Sequence, residues 1–185
     1  MLQQMWRAEQ SDVEKRFEIR VFALEMGQDD PKKCSSAKLC RFGLATPIHQ
    51  FQRIPRNAVV LNPAVSEVFS PKDKEALKGG LVAIDCSWKR AEEVFKHRFR
   101  GVNRRLPLLL ASNPINYGKL GMLSSAEAIA ATLYIAGYVE QAQRVLSIFK
   151  WGNTFLTLNH DPLEDYRAAE TPEHVLKTEQ EYFKH

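Results

Sequence analysis

The chain has 185 residues, a hydrophobic content of 44% and a formal net charge of +4. That is enough for one medium domain or two small ones, and no apolar run approaches the ~20 residues of a membrane span. Residues 161–185 carry 7 acids against 3 bases, which leaves an excess of +8 on residues 1–160; such a basic body suits a polyanion partner as well as it suits a plain solvated surface.

Residues 1–16 are polar and charged and read as an extension. The run 17–24 alternates and then turns apolar, which predicts a first strand ended by 27–31. A short helix is expected over 36–44, carrying Leu39 and Phe42. Ala58, Val59, Val60 and Leu61 predict a short buried strand bounded by Asn62-Pro63. Ser70 is the expected N-cap and Pro71 the first residue of a helix that stops at Gly79-Gly80. A third strand is expected over 81–84, then a helix over 88–99 with Trp88, Ala91, Val94 and Phe95 on one side. The run 106–111 is apolar throughout and predicts a fourth strand covered on both faces. Ser124-Ser125-Ala126-Glu127 is a capping box that opens a helix closed at Gly137. A second helix is expected over 139–150 and a last strand over 154–158. After Asn159 the chain is polar and is expected to hug the surface or fray. Strands alternating with helices argue for an α/β sheet with substantial parallel pairing.

Polar and aromatic residues gather where the predicted strands end, which is where ligands bind in open α/β sheets. Asp85-Cys86-Ser87-Trp88 follows the third strand, and Ser112-Asn113-Pro114-Ile115-Asn116-Tyr117-Gly118 follows the fourth. Asp85 either caps the next helix or faces a ligand as acceptor or base. Trp88, one helical turn on, either joins the core or shares that pocket. After the first strand, Asp29, Asp30, Lys32, Lys33, Lys38, Ser35 and Ser36 form either a charged cap or a ligand loop. Between residues 89 and 105, seven bases (Lys89, Arg90, Lys96, Arg98, Arg100, Arg104, Arg105) stand against Glu92 and Glu93, with Phe95, His97 and Phe99 interleaved. That pattern suits phosphate contacts and base stacking, or a solvated helix face. There is no Walker loop, GxGxxG or GxSxG elbow. Cys34, Cys40 and Cys86 show no metal-site spacing, so free thiols and no metal are expected. The start, Met1 to Arg7, has no signal-peptide core, so a cytoplasmic location is expected.

Five ordered motifs carry a family resemblance. They are Asp30-Pro31-Lys32-Lys33-Cys34-Ser35, Asp85-Cys86-Ser87-Trp88, Leu106-Pro107, the 111–118 segment, and Leu123-Ser124 through Glu127-Ala128. Together, over about residues 19–165, they resemble the aminocarboxypropyltransferases that modify small-subunit ribosomal RNA. The resemblance implies an α/β fold of SPOUT type. Residues 76–165 would form a donor-binding domain with a C-terminal trefoil knot and 17–75 a small N-terminal α/β domain, leaving 1–16 as an extension and 166–185 as an acidic tail. It implies S-adenosylmethionine as co-substrate and the 3-amino-3-carboxypropyl group as the transferred piece. The implied acceptor is N3 of a hypermodified pseudouridine, usually already methylated at N1, and the by-product is 5′-methylthioadenosine.

Donor contacts are implied at Ser35, Ile84, Asp85, Trp88, Leu106, Gly121 and Ser125, several through the backbone. Trp88 and Ala91 suit an apolar wall for the donor methyl, and Asp85 is the candidate proton acceptor or sulfonium neighbour. Lys32, Lys33, Lys96, Arg98, Arg100, Arg104 and Arg105 are the expected RNA contacts, on small-subunit rRNA or a pre-ribosomal particle, with a monomeric enzyme. Gly121 stands where many members carry an aromatic, and Ser36 replaces a frequent glycine. Two other readings stay open: a SPOUT-class methyltransferase releasing S-adenosylhomocysteine, and a non-catalytic assembly factor that binds pre-ribosomal RNA without a donor.

Overall fold

The computed structural model describes residues 18–26, 34–96 and 98–184. Asp29, Asp30, Pro31, Lys32, Lys33 and His97 therefore lie outside the described residues. Five strands, β1 (Val21–Glu25), β2 (Thr46–Ile48), β3 (Val59–Leu61), β4 (Leu81–Asp85) and β5 (Val102–Arg104), form one sheet. Their order is β2-β1-β4-β3-β5, and every pair is parallel. β1 and β4 lie side by side over their whole length, with Glu25 opposite Asp85. Strands from both sides of residue 76 share this sheet.

Alternation gives the sheet two apolar faces. Val21, Ala23, Val59, Leu61, Leu81 and Ala83 point into the larger core. Leu24, Val60, Val82 and Ile84 point into a smaller one with Ile54 and Phe95. The strands are apolar on both sides, as a covered parallel sheet requires. The helices are α1 (Ser35–Arg41), α2 (Lys74–Leu77), α3 (Ala91–Val94), α4 (Ser125–Ile135), α5 (Val139–Ser147), α6 (Gly152–Leu158), α7 (His160–Ala168) and α8 (Pro172–Tyr182). α4 is apolar nearly all round and lies in the middle of the larger core. Gly137, at φ +89°, turns the chain out of it into α5. Among the described residues no helix is long and apolar enough to cross a membrane.

Two expected strands do not form. Residues 154–158 lie inside α6, where Gly152, Phe155 and Asn159 are buried at helical spacing. Five residues are too few to tell one period from the other, and packing decides between them: a Cβ on Gly152 would sit 2.1 Å from the Leu146 carbonyl oxygen, so α6 docks hard against the end of α5. Residues 106–111 run without a ladder, held at their flanks by the isolated bridges Val68↔Arg105 and Leu110↔Leu120. Side chains from the C-terminal helices take the place of a neighbouring strand. Leu108 N–H donates to Glu179 Oε2 at 2.7 Å, and the Leu108 carbonyl accepts from the Tyr166 hydroxyl at 3.1 Å. The Asn159 amide closes both backbone groups of Leu110, at 2.8 and 2.9 Å.

The chain after Asn159 consequently does not fray. Leu163, Tyr166 and Val175 are part of the larger core. The expected helix over 88–99 shrinks to α3, because Phe99 is pulled away by tertiary contacts. Its ring stacks on Phe51 at 5.6 Å, and the Asn103 side chain accepts from its N–H at 3.0 Å and donates to its carbonyl at 2.6 Å.

Asn159 is fully buried, so Asn159→Ala leaves both polar backbone groups of Leu110 without partners. The variant should lose about 1–3 kcal/mol for each group left unpaired, read as a lowered urea midpoint at unchanged slope. A midpoint equal to wild type would show that the 106–111 segment does not depend on this amide.

Candidate active site

The chain leaves β1 toward β2 at one edge of the sheet, and leaves β4 toward β5 at the other. The carboxyl ends of these two neighbours therefore bound a topological switch point, the usual ligand crevice of an open parallel sheet. A cavity of about 1200 Å³ opens there. Asp85 ends β4 on its wall, and Cys86, Ser87 and Trp88 continue it. The start of α1, the 106–108 run and the 121–125 turn supply the other sides. Ser35, Ile84, Asp85, Trp88, Leu106, Gly121 and Ser125, far apart in sequence, all line this one cavity.

Each is positioned by a local interaction. Trp88 donates its indole N–H to the Leu123 carbonyl at 3.1 Å, which fixes the ring as an apolar wall beside Ala91 and Phe95. Ser35 Oγ accepts from the Ala126 N–H at 3.2 Å, tying the first turn of α1 to that of α4. Gly121 has φ +72° and donates its N–H to the Leu109 carbonyl at 2.9 Å. That backbone region favours glycine over a side chain, and the Leu108 side chain lies 3.4 Å from where a Cβ would stand.

Cys34 lies in the 30–35 motif, but sequence reasoning assigned it no role beyond a free thiol; in the structure it lines the cavity. Its Sγ is the N-cap of α1, accepting from the Ala37 N–H at 3.3 Å. Its S–H donates to Asp85 Oδ2 at 2.8 Å. Burial first, and then the Asp85 hydrogen bond, push the thiol up to about 11. Cys34 is thus a neutral donor at neutral pH and orients the Asp85 carboxylate. Burial and the nearby Glu25 carboxylate push Cys40 up to about 11 as well. The available signal for Cys34 was its place one residue before a helix start, where a side-chain acceptor is wanted.

Glu127 was read as half of a capping box, and that half is present: it accepts from the Ser124 N–H at 2.7 Å while Ser124 Oγ accepts from the Glu127 N–H at 3.3 Å. It also accepts from the Ser112 N–H at 2.6 Å, the Asn113 N–H at 3.0 Å and Asn113 Nδ2 at 2.7 Å. The fully buried carboxylate thus clamps the 112–116 loop against the first turn of α4. Burying a charge is tolerable only with such a full set of donors.

The expected RNA contacts divide into two groups. Lys96, Arg98 and Arg100 are exposed. Arg98 pairs with Glu67, and Arg100 donates to the Gln52 carbonyl at 3.0 Å. Arg104 and Arg105 are more enclosed and engaged within the chain. Arg104 binds Asp73 at 2.9 Å, and Arg105 reaches both oxygens of Glu179, at 2.9 and 3.1 Å, on the cavity wall. Lys32 and Lys33 fall outside the described residues. No group of three or more His, Cys, Asp or Glu with the arrangement of a metal site occurs among the described residues.

The chain matches the family model described as "Ribosome biogenesis protein, C-terminal" over residues 59–183. A second model, a possible Fer4-like domain in RNase L inhibitor, matches residues 19–52. An iron–sulfur cluster of that kind takes ~4 cysteine thiolates, and this stretch holds two, Cys34 and Cys40, so its residues do not fit one. A 16S rRNA aminocarboxypropyltransferase of Methanosarcina mazei is 42% identical, over 89% of this chain and 95% of its own. One of Vulcanisaeta distributa is 44% identical over 85% of this chain and 87% of its own. The solved structure of the SAM-dependent rRNA:acp-transferase Tsr3 from Vulcanisaeta distributa superposes with a TM-score of 0.82 at 41% identity, covering 89% of each chain. On this match of sequence and fold, the chain belongs to the Tsr3 family of 16S rRNA aminocarboxypropyltransferases.

Proposed function

We propose that this protein transfers the 3-amino-3-carboxypropyl group of S-adenosylmethionine to N3 of a pseudouridine, with or without a methyl at N1, in small-subunit rRNA and releases 5′-methylthioadenosine. The observation that carries the reading is the gathering of the seven donor residues around one cavity at the switch point of the sheet. At about 1200 Å³, the cavity exceeds the ~300–1,000 Å³ of ordinary ligand sites, which leaves room for a nucleobase beside the donor. The family's names support the acp group and the 16S rRNA. The parallel sheet with its switch point supports the α/β reading of the chain.

The donor's sulfonium makes all three attached carbons electrophilic, so the enzyme's task is to choose which one meets the nucleophile in line. Trp88, Ala91 and Leu106 supply apolar surface against which the methyl can be buried. Asp85 takes the proton from uracil N3–H as the N3–carbon bond forms and the carbon–sulfur bond breaks, so that the leaving thioether is neutral. Cys34 holds one oxygen of that carboxylate and aims the other.

The decisive experiment incubates the protein with S-adenosylmethionine and small ribosomal subunits that lack the modification. Methylthioadenosine as the adenosyl product supports the reading. S-adenosylhomocysteine would replace it with a methyltransferase, and absence of donor binding by calorimetry would replace it with an assembly factor. Asp85→Asn should lower turnover by about 10²–10⁴-fold while calorimetric donor affinity survives; unchanged turnover removes Asp85 from the chemistry.

The basic residues separate in a second measurement. Lys96→Ala and Arg100→Ala should each flatten the logarithmic salt dependence of RNA binding by roughly 0.7–0.9, one phosphate apiece. Arg104→Ala should instead lower the melting temperature, because it strands the Asp73 carboxylate. A salt slope insensitive to Lys96 and Arg100 would reject this face as the phosphate-binding one.

A further inference from the structure

We infer that the 112–119 loop is a nucleobase platform, on which Tyr117, with Ile115 beside it at the cavity rim, receives a base neighbouring the target nucleotide. The inference rests on the transferase reading of the cavity and adds how its RNA substrate is gripped.

The loop is built to be stiff. Glu127 holds it at Ser112 and Asn113. Asn113 Oδ1 then accepts from the N–H groups of Ile115 and Asn116, at 3.2 and 3.0 Å. The two ends meet through Gly118 N–H to the Ala111 carbonyl at 2.7 Å and Ala111 N–H to the Lys119 carbonyl at 3.0 Å. Gly118 takes φ +75° to close the turn. Yet this ordered loop presents Ile115 at 73% and Tyr117 at 64% exposure, the highest of any large apolar side chain among the described residues. Tyr182 and Trp88, the other exposed rings with a polar edge, are 40% and 38% exposed.

Its position and surroundings select the occupant. Pro114, Ile115, Asn116 and Lys119 form part of the cavity wall, and the exposed Tyr117 lies between them in the chain without lining it. Among the described residues, the charged side chains on that wall are Lys38, Lys89 and Lys119, with Arg105 already paired to Glu179, against the carboxylate of Asp85. An apolar protein partner has no use for that excess of cations, whereas single-stranded nucleic acid matches both the charge and the flat ring. A ring already held by a rigid stem binds without the ordering cost that a floppy loop would incur.

The test measures binding with no donor present, by fluorescence anisotropy of a fluorescein-labelled 12-nucleotide oligouridylate. Tyr117→Ala should weaken binding about tenfold, the loss of one stacked base, and Tyr117→Phe should keep wild-type affinity, because stacking needs the ring rather than the hydroxyl. Tyr117→Ala should leave the logarithmic salt slope at its wild-type value, while Lys119→Ala should reduce it by roughly 0.7. Equal affinity of Tyr117→Ala and wild type overturns the platform, as does a wild type that fails to bind this RNA. Because no group transfer is involved, the outcomes separate. A wild type that forms methylthioadenosine on small subunits while Tyr117→Ala binds RNA normally loses the platform and keeps the transferase reading. A wild type that forms none while Tyr117→Ala binds RNA poorly loses the transferase reading and keeps the platform.

Discussion

The Glu127 carboxylate, fully buried in the first turn of α4, receives backbone N–H groups from Ser112, Asn113 and Ser124 and the side-chain amide of Asn113. An anion removed from water costs far more than a neutral group unless every lone pair is met, so the fold tolerates this one only while the 112–116 loop and the 123–124 turn converge on it. Both segments flank the cavity. The helix dipole adds to the effect, since a negative charge at an α-helix N-terminus is favoured. Part of the shape of the site thus follows from an electrostatic requirement of a residue that does not itself line the cavity, and adds to the contacts among the lining residues.

A second requirement is set by the 106–111 run, which passes beside the cavity without a strand to pair with. Its backbone groups cannot go unmet. Those of Leu109 and Ala111 bond to the 118–121 backbone, and those of Leu108 and Leu110 are met by Glu179, Tyr166 and Asn159, which belong to α8, α7 and the junction of α6 with α7. Burial pushes the Tyr166 hydroxyl far up from its usual range, so it remains a neutral donor to Leu108. The C-terminal helices are for this reason part of the wall-building apparatus, directly behind residues that line the cavity.

Features set by neighbours in sequence could be read before the structure, and features set by distant partners could not. The buried strand before Asp85 declares itself by its uninterrupted apolar run. Ser124 and Glu127 declare the start of α4, and Ser70 with Pro71 the turn that leads into α2. The candidate donor contacts were placed by motif resemblance, and the structure brings them to one cavity. The 106–111 run was misread because apolar character reports coverage on both faces without reporting which groups satisfy the backbone. Residues 154–158 were misread because five residues do not resolve a period of two from one of 3.6. In the last segment, Thr171-Pro172 is a helix-start signal, and Thr171 Oγ1 does accept from the His174 N–H at 3.1 Å. Its sparse apolar residues hid the amphipathic face. Cys34 was passed over because a thiol that caps a helix and hydrogen-bonds a carboxylate 51 residues on leaves no mark in local spacing.

The charge pattern changes meaning once these contacts are known. From sequence, a basic body followed by an acidic tail suggests two opposed surfaces. In the fold, Glu179 of that tail neutralises Arg105, and Asp73 neutralises Arg104, so two of the seven bases in the 89–105 stretch serve the packing of the chain. These pairs are partly enclosed, where separating the charges would cost more than at an open surface. Lys96, Arg98 and Arg100 stay on the exposed side, where charge is screened by salt and cheap to rearrange. The same short sequence therefore supplies both a fixed internal clamp beside the cavity and an adjustable outer face. Which role each arginine takes is decided by how enclosed its carboxylate partner is: Asp73 and Glu179 are buried, whereas Glu67, the partner of Arg98, is exposed.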